Sequence, residues 1–293
     1  MNVTRPRMGV AVLTQGDRMP ELLALLASVA AQDEAATRIV VVGNGTPLTG
    51  LPEGVTTVEL PENRGVSGGR NVAWRHLREF GDVDVLVDLD DDGLLPGTDV
   101  FRRLADLYEA DRRLGIVSFR IADETGATQR RHIPRLRGDG PLRRGLVTTF
   151  LGGGHALAMP MLEETGGWPE AFFFTHEETD LAWRALDRGW DIRYEPRLVL
   201  QHPKTSPARH AVYYRMTARN RVWLAKRHLP AALIPVYLTS WAAYTLLQRP
   251  PLTGLRAWWA GFFEGVRVPC PPRRPLRWST VWRMTRLGRP PVV

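Results

Sequence analysis

At 293 residues and 44% hydrophobic content, the chain is long enough for one large domain or two small ones, and its composition excludes a disordered or fibrous protein. Cys270 is the only cysteine, which rules out an intrachain disulfide and a cysteine-based zinc site and fits a reducing cytoplasm. The net charge of +8 hides a split: residues 204–293 carry 16 Lys or Arg against the single acid Glu264, whereas residues 1–203 hold 23 basic and 30 acidic groups.

In chain order, the polar, basic residues 1–7 lead into a strand of ordinary length, so no export signal is expected. Residues 8–14 read as that buried strand, and Pro20 sits at the first turn of a helix carrying Leu22, Leu25, Leu26 and Val29 at helical spacing. Residues 38–42 form a second apolar strand, stopped by Gly43-Asn44-Gly45-Thr46-Pro47, and 56–60 a third. Ser67 is the expected N-cap of a helix running to Phe80. The glycines of Ser67-Gly68-Gly69-Arg70-Asn71 would let backbone N–H groups meet an anion, with Arg70 adding a cation; a glycine-softened helix entrance is an equal reading.

Residues 83–93 start as a β-branched strand and end in Asp90-Asp91-Asp92-Gly93. Three adjacent carboxylates repel one another, so water must solvate them or a cation must neutralise them. Two readings follow: an exposed acidic turn, or a site for Mg²⁺ or Mn²⁺ at the carboxyl end of a buried parallel strand. A helix over 98–110 and a strand over 114–121 come next. The alternation predicts a mostly parallel sheet with helices on both faces and the triplet on its ligand-binding edge.

Residues 123–144, with Arg130, Arg131, Arg135, Arg137, Arg143 and Arg144, read as an irregular loop or hairpin. The run Gly152-Gly153-Gly154 requires backbone to come close to something, a ligand or only a neighbouring strand, and His155 reads as structural. Thr175 and Glu178 form a capping-box pattern opening a helix that ends near Gly189, and Asp180 and Arg184 make an i,i+4 pair. Glu177 and Glu178, on that helix's first turn, would also point into the edge crevice, where a carboxylate can act as general base. Residues 190–194 alternate as a strand that Pro196 breaks, and 198–200 run into His202. That histidine becomes a candidate metal ligand if its strand ends beside the carboxylates.

The apolar run 229–248 approaches the ~20 residues that span a bilayer. Pro230, Pro235 and three polar residues interrupt it, so a helix at a membrane surface or packed on the rest of the protein is expected rather than a span. The basic tail also holds six of the ten tryptophans, a combination that suits an anionic membrane surface. Nucleic acid is not expected, because no binding module is recognisable and the triplet would oppose a phosphate backbone.

Over 8–202 these pieces resemble the family-two glycosyltransferases, whose catalytic domain has the Rossmann-like GT-A fold. The likeness is carried by the first strand and its Pro-Glu-Leu-Leu helix, Asn63-Arg64-Gly65 with Gly68-Gly69-Arg70-Asn71, Asp90-Asp91-Asp92, and Gly166-Gly167-Trp168-Pro169-Glu170 with Glu177-Glu178-Thr179-Asp180-Leu181. His202 falls 24 residues after Glu178, as in galactofuranosyl- and rhamnosyl-type members. The resemblance implies a GT-A domain over 1–203, a basic helical region over 204–293, Mg²⁺ or Mn²⁺ on Asp90, Asp92 and His202, and a donor site including Asn44, Arg70, Asp90, Asp91, Gly153 and Gly154. Glu178, with Glu177 as its neighbour, falls at the catalytic base. The implied activity is inverting transfer from a nucleotide-diphosphate sugar, with UDP, dTDP or a similar nucleotide, to a glycan, lipid-linked or small-molecule acceptor, in the cytoplasm or at the inner face of the membrane. Two departures are a glutamate where the base is usually aspartate, and Gly43 where many members carry an aspartate that contacts the nucleotide base. The rival readings are a catalytically inactive, membrane-associated sugar-nucleotide scaffold and a sugar nucleotidyltransferase, for which residues 14–18 make a poor triphosphate loop.

Overall fold

The computed structural model describes residues 5–136, 140–203 and 211–292. Strands and helices alternate through β1 (Met8–Thr14), α1 (Met19–Ala30), β2 (Arg38–Asn44), β3 (Val55–Leu60), α2 (Gly65–Phe80), β4 (Val85–Asp90), α3 (Val100–Ala110) and β5 (Leu114–Ala122). Then come β6 (Gly145–Leu146), β7 (Gly154–Ala158), α4 (Met159–Thr165), α5 (Glu177–Asp187) and β8 (Asp191–Gln201), and the C-terminal helices α6 (Ala211–His228), α7 (Leu233–Leu247), α8 (Leu252–Arg267) and α9 (Trp278–Arg286).

The eight strands lie in the order β3-β2-β1-β4-β7-β5-β8-β6. The block β3-β2-β1-β4 and the pair β5-β8 are parallel, while β7 runs antiparallel between β4 and β5 and β6 edges β8 antiparallel. Val10, Val12, Val40, Val41, Leu86 and Val87 are buried on strands with no polar alternation, the pattern selected when both sheet faces are covered.

Three local expectations are corrected. Ser67 is not the cap of α2: the helix starts two residues earlier, at Gly65, and Ser67 is buried inside its first turn with its hydroxyl unpartnered. The glycines there serve packing, since a Cβ on Gly65 would strike Phe173 and one on Gly69 would strike Leu13. Pro196 does not break its strand. β8 continues through it because the register against β5 jumps from Phe119↔Glu195 to Arg120↔Val199, and in such a bulge a missing N–H costs no ladder bond. Thr175 does not cap α5: His176 holds the N-cap position in the left-handed region (φ 65°) without a side-chain cap, so the Thr175–Glu178 box does not form. The 123–144 segment contains a 3₁₀ turn at Arg130–His132 and leads into β6; Arg137 lies outside the described residues.

The buried core continues into the C-terminal helices through Trp223, Leu224, Leu229, Tyr237, Leu276, Val281 and Met284. An ionic contact reinforces this junction. The fully buried Asp180 of α5 accepts from Arg184 (2.6 Å) and, across the interface, from Arg227 (2.9 Å) and meets His228 at 2.6 Å. Burial alone would raise the Asp180 carboxyl, yet Arg184, His228 and Arg227 hold it well below the usual carboxylate range. Among the described residues no helix is long and apolar enough to cross a membrane.

Candidate active site

A cleft of about 490 Å³ opens at the carboxyl ends of β1, β2 and β4, the edge where open α/β sheets bind ligands. Leu13, Thr14, Asn44, Asp88, Asp90 and Asp91 reach it from these strands. Gly152, Gly153, Glu177 and Glu178 close the opposite wall, and Val212 and Met216 of α6 join them, so the basic tail contributes to the cleft.

The acidic triplet and His202 meet because of backbone pairing. Beyond Gly93, Leu94 exchanges two hydrogen bonds with Gln201 (2.8 Å each way), and the His202 N–H donates to Ala122 O at 2.8 Å. These bonds clamp the residue after β8 to the turn after β4. His202 Nε2 consequently lies 3.0 Å from Asp92 Oδ1 and 3.9 Å from Asp90 Oδ2. One ligand atom from each of Asp90, Asp92 and His202 falls within 4.8 Å of the others. Two carboxylates and an imidazole at this spacing fit a Mn²⁺- or Mg²⁺-type ion. The hydrogen bond with Asp92 raises the His202 pKa. Asp92 is pushed up by partial burial but ends lowered, because His202 and Arg18 both face it. Burial at the cleft floor pushes Asp90 up to about 6.

Arg70 ties the floor to the opposite wall. Its guanidinium is 5% exposed and reaches Asp88 at 2.9 Å, Asp90 at 3.6 Å, Glu178 at 3.8 Å and Glu177 at 3.9 Å, and it donates to Gly152 O at 2.6 Å. It is thus the counter-ion of four carboxylates as well as a lining residue of the cleft. Burial pushes Asp88 up to about 7 even with Arg70 beside it. Glu177 is also raised well above the carboxylate range, first by burial and then by the charge of Glu178. Glu178 is the more accessible of the two, with 21% side-chain exposure against 4%.

The glycine run is explained by what it touches. A Cβ on Gly152 would collide with Glu178 Oε1 and one on Gly153 would sit 3.1 Å from Asp90 Oδ2, so only bare backbone passes between the two acidic groups. Gly154 lies behind them, against Leu200 and Phe119. Gly43 is fixed similarly: a Cβ there would strike the Thr46 carbonyl, so a side chain at this position requires the 43–46 turn to shift. The neighbouring Asn44 spends its amide on Asn63, Gly65 O and Arg64 N, which shapes the 63–65 turn at the cleft mouth.

Sequence reasoning missed Arg18, Asp88 and Asn220. Asn220 of α6 is fully buried and its amide donates to the carbonyls of Phe172 (3.0 Å), Phe174 (2.8 Å) and Thr175 (2.8 Å). These bonds hold a turn in which Phe173, Thr175 and His176 all have positive φ. Left-handed residues of this kind cost about 1–3 kcal/mol each and persist only where surroundings over-determine them. That turn aims Glu177 and Glu178 into the cleft. Asp88 was legible as an acid inside an apolar strand; nothing in the sequence announces Asn220.

The family model for glycosyl transferase family 2 matches residues 17–164, slightly more than half of the chain. The chain belongs to that family. Its fold is similar to that of GalNAc-T7 solved with UDP, GalNAc and Mn²⁺, with a TM-score of 0.65 and 14% identity over 93% of this chain and 60% of that one. It is also similar to residues 1–349 of S. aureus TarS, with a TM-score of 0.61 and 16% identity over 89% of this chain and 81% of that one. A third similar structure is the mannosyltransferase PcManGT from Pyrobaculum calidifontis with GDP-Man and Mn²⁺, with a TM-score of 0.57 and 20% identity over 92% of this chain and 78% of that one. At these identities the likeness is one of fold, the GT-A type, and the chain spans about 60% of the GalNAc-T7 chain it matches. No curated protein sequence matches this chain.

Proposed function

We propose that the chain is an inverting, metal-dependent glycosyltransferase that moves a sugar from a nucleotide-diphosphate donor to an acceptor hydroxyl. The observation that carries this reading is the bridging of the Asp90 and Glu178 carboxylates by one buried guanidinium, which puts an ion-type site and a candidate base in a single cleft. Asp90, Asp92 and His202 would hold Mg²⁺ or Mn²⁺, which when bound supplies positive charge against the departing diphosphate. Thr14, Asn44 and Asp91 line the cleft on the donor side, with Gly153 leaving room above Asp90. Glu178, the more accessible glutamate, takes the proton of the attacking hydroxyl, and burial favours the neutral form of Glu177 beside it. Attack from the face opposite the leaving diphosphate inverts the anomeric centre in one step.

A panel of nucleotide sugars assayed in Mn²⁺, with and without EDTA, tests the donor and the ion together. Glu178→Gln is expected to slow transfer about 10²- to 10⁴-fold while nucleotide diphosphate binding in Mn²⁺ survives. Transfer at the wild-type rate in that variant would remove Glu178 from the role.

Exposed Tyr244, Leu246 and Leu247 on α7 and Leu252, Trp259 and Phe263 on α8 support apposition of the basic tail to an anionic membrane surface, at the cytoplasmic face. Flotation with acidic vesicles reads this out, and failure to float would reject it.

A further inference from the structure

The segments that wall the carboxylate cleft also border a second recess of opposite character. Thr148 and Thr149 precede the glycine run, and His176 and Thr179 flank the two glutamates; together with Arg221, Trp241 and Arg289 they line a small pocket. Through Trp241 and Arg289 it joins a groove of about 820 Å³ that Arg130, Arg131 and Arg135 edge from the opposite bank. Among the described residues, none that lines either space carries a carboxylate.

Arg221 is held in position. Its guanidinium lies 3.3 Å from the centre of the Trp241 ring, and its Nε donates to His176 Nε2 at 3.1 Å. Burial holds His176 well below its usual pKa, consistent with a neutral ring that accepts this bond. Arg221 Nη1 is buried with no hydrogen-bond partner among the described residues. Arg221 and Arg289 are both lowered by burial, Arg221 to about 10. A guanidinium withdrawn from water without a counter-ion is a costly arrangement that an incoming anion relieves.

We propose that this recess binds a phosphate group of the acceptor, with Arg221 and Arg289 as its charged contacts and the threonine hydroxyls beside them. The word acceptor rests on the transferase reading of the adjacent cleft; anion binding does not. The groove of about 820 Å³ offers room for a group attached to the phosphate, and His176 and Thr179 of the recess flank Glu177 and Glu178 in the chain.

Equilibrium binding is measured in EDTA, so that no divalent ion recruits the probe to the cleft, using glycerol phosphate as one probe and phosphatidic acid vesicles as the other. Wild-type protein is expected to bind at least one saturably, with affinity falling about tenfold or more in Arg221→Gln and in Arg289→Gln and partly restored in Arg221→Lys. Binding of glycerol phosphate supports the site with a soluble phosphate ester as ligand, and binding of vesicles alone supports it with a lipid headgroup. Binding of neither probe, or equal affinity in wild type and both glutamine variants, overturns the proposal. Circular dichroism checks folding, and Arg289→Gln with Arg221→Lys carries the test if Arg221→Gln does not fold. Mn²⁺-dependent hydrolysis of nucleotide sugars by the wild type reports on the cleft alone, so its absence beside intact anion binding would strike the transferase reading and spare the site.

Discussion

Two arginines of this protein stand in opposite surroundings. Arg70 sits under the cleft among Asp88, Asp90, Glu177 and Glu178, and its pKa is raised because those carboxylates outweigh its burial. Arg221 sits between a tryptophan face and an imidazole and pairs with no carboxylate among the described residues, and its pKa is lowered by burial. A guanidinium with internal counter-ions organises what is already present. One without them holds capacity for an anion from outside. The acidic amino-terminal region and the basic tail thus divide the work: the first presents carboxylates that suit a cation, the second presents cations that suit an anion, and the turn at 173–176 lies between them.

The comparison is tested most severely at Asp180, where Arg184, Arg227 and His228 share one buried carboxylate. Asp180→Asn leaves Arg184 and Arg227 uncompensated and is expected to destabilise the fold by about 3–5 kcal/mol, read as a fall in the denaturant midpoint. A change below 1 kcal/mol would mean that internal pairing does not distinguish the two regions.

A smaller effect is expected on acidification. The folded-state pKa of Asp180 lies below its unfolded value of about 3.9, so its contribution is fully present above pH ~4 and is lost as pH falls toward the folded value. Wild-type stability followed from pH 5 to pH 2 should therefore drop more steeply than that of Asp180→Asn; parallel curves would contradict the pairing.

The smallest effect is expected at Arg221 itself. Arg221→Gln removes a stacked but uncompensated charge, so the lost cation–π contact and the relieved burial nearly cancel and stability should stay within about 1 kcal/mol of wild type. A loss as large as that of Asp180→Asn would show that Arg221 has a counter-ion inside the protein and would narrow the difference on which its anion site depends.

Much of the site was legible before any coordinate. Asp90, Asp92 and His202 lie together, an arrangement the family resemblance implied and the strand pattern alone left open, and Glu177 and Glu178 line the same cleft as Asp90. The misses share a cause. Ser67, Pro196 and Thr175 were read from local propensity, and each was overruled by a neighbour distant in sequence: Phe173 and Leu13 against the first turn of α2, the shifted register of β5, and Asn220 under the turn before α5. Arg18 and Asn220 carry no pattern at all, because a single polar residue on a loop or helix looks the same whether it faces solvent or seals a site.

The sequence by itself determined the alternation of strands and helices, the placement of the acidic triplet at a strand end, and the separation of charge between the two halves, since hydrophobic period and charge count are local properties of the chain. Only the tertiary structure decided that Leu94 pairs with Gln201 and brings His202 to the triplet, that Arg70 gathers four carboxylates, and that Arg221 pairs with none among the described residues. Such contacts join residues many positions apart, and their energies depend on burial and on which charges become neighbours, quantities that exist only once the chain has closed on itself.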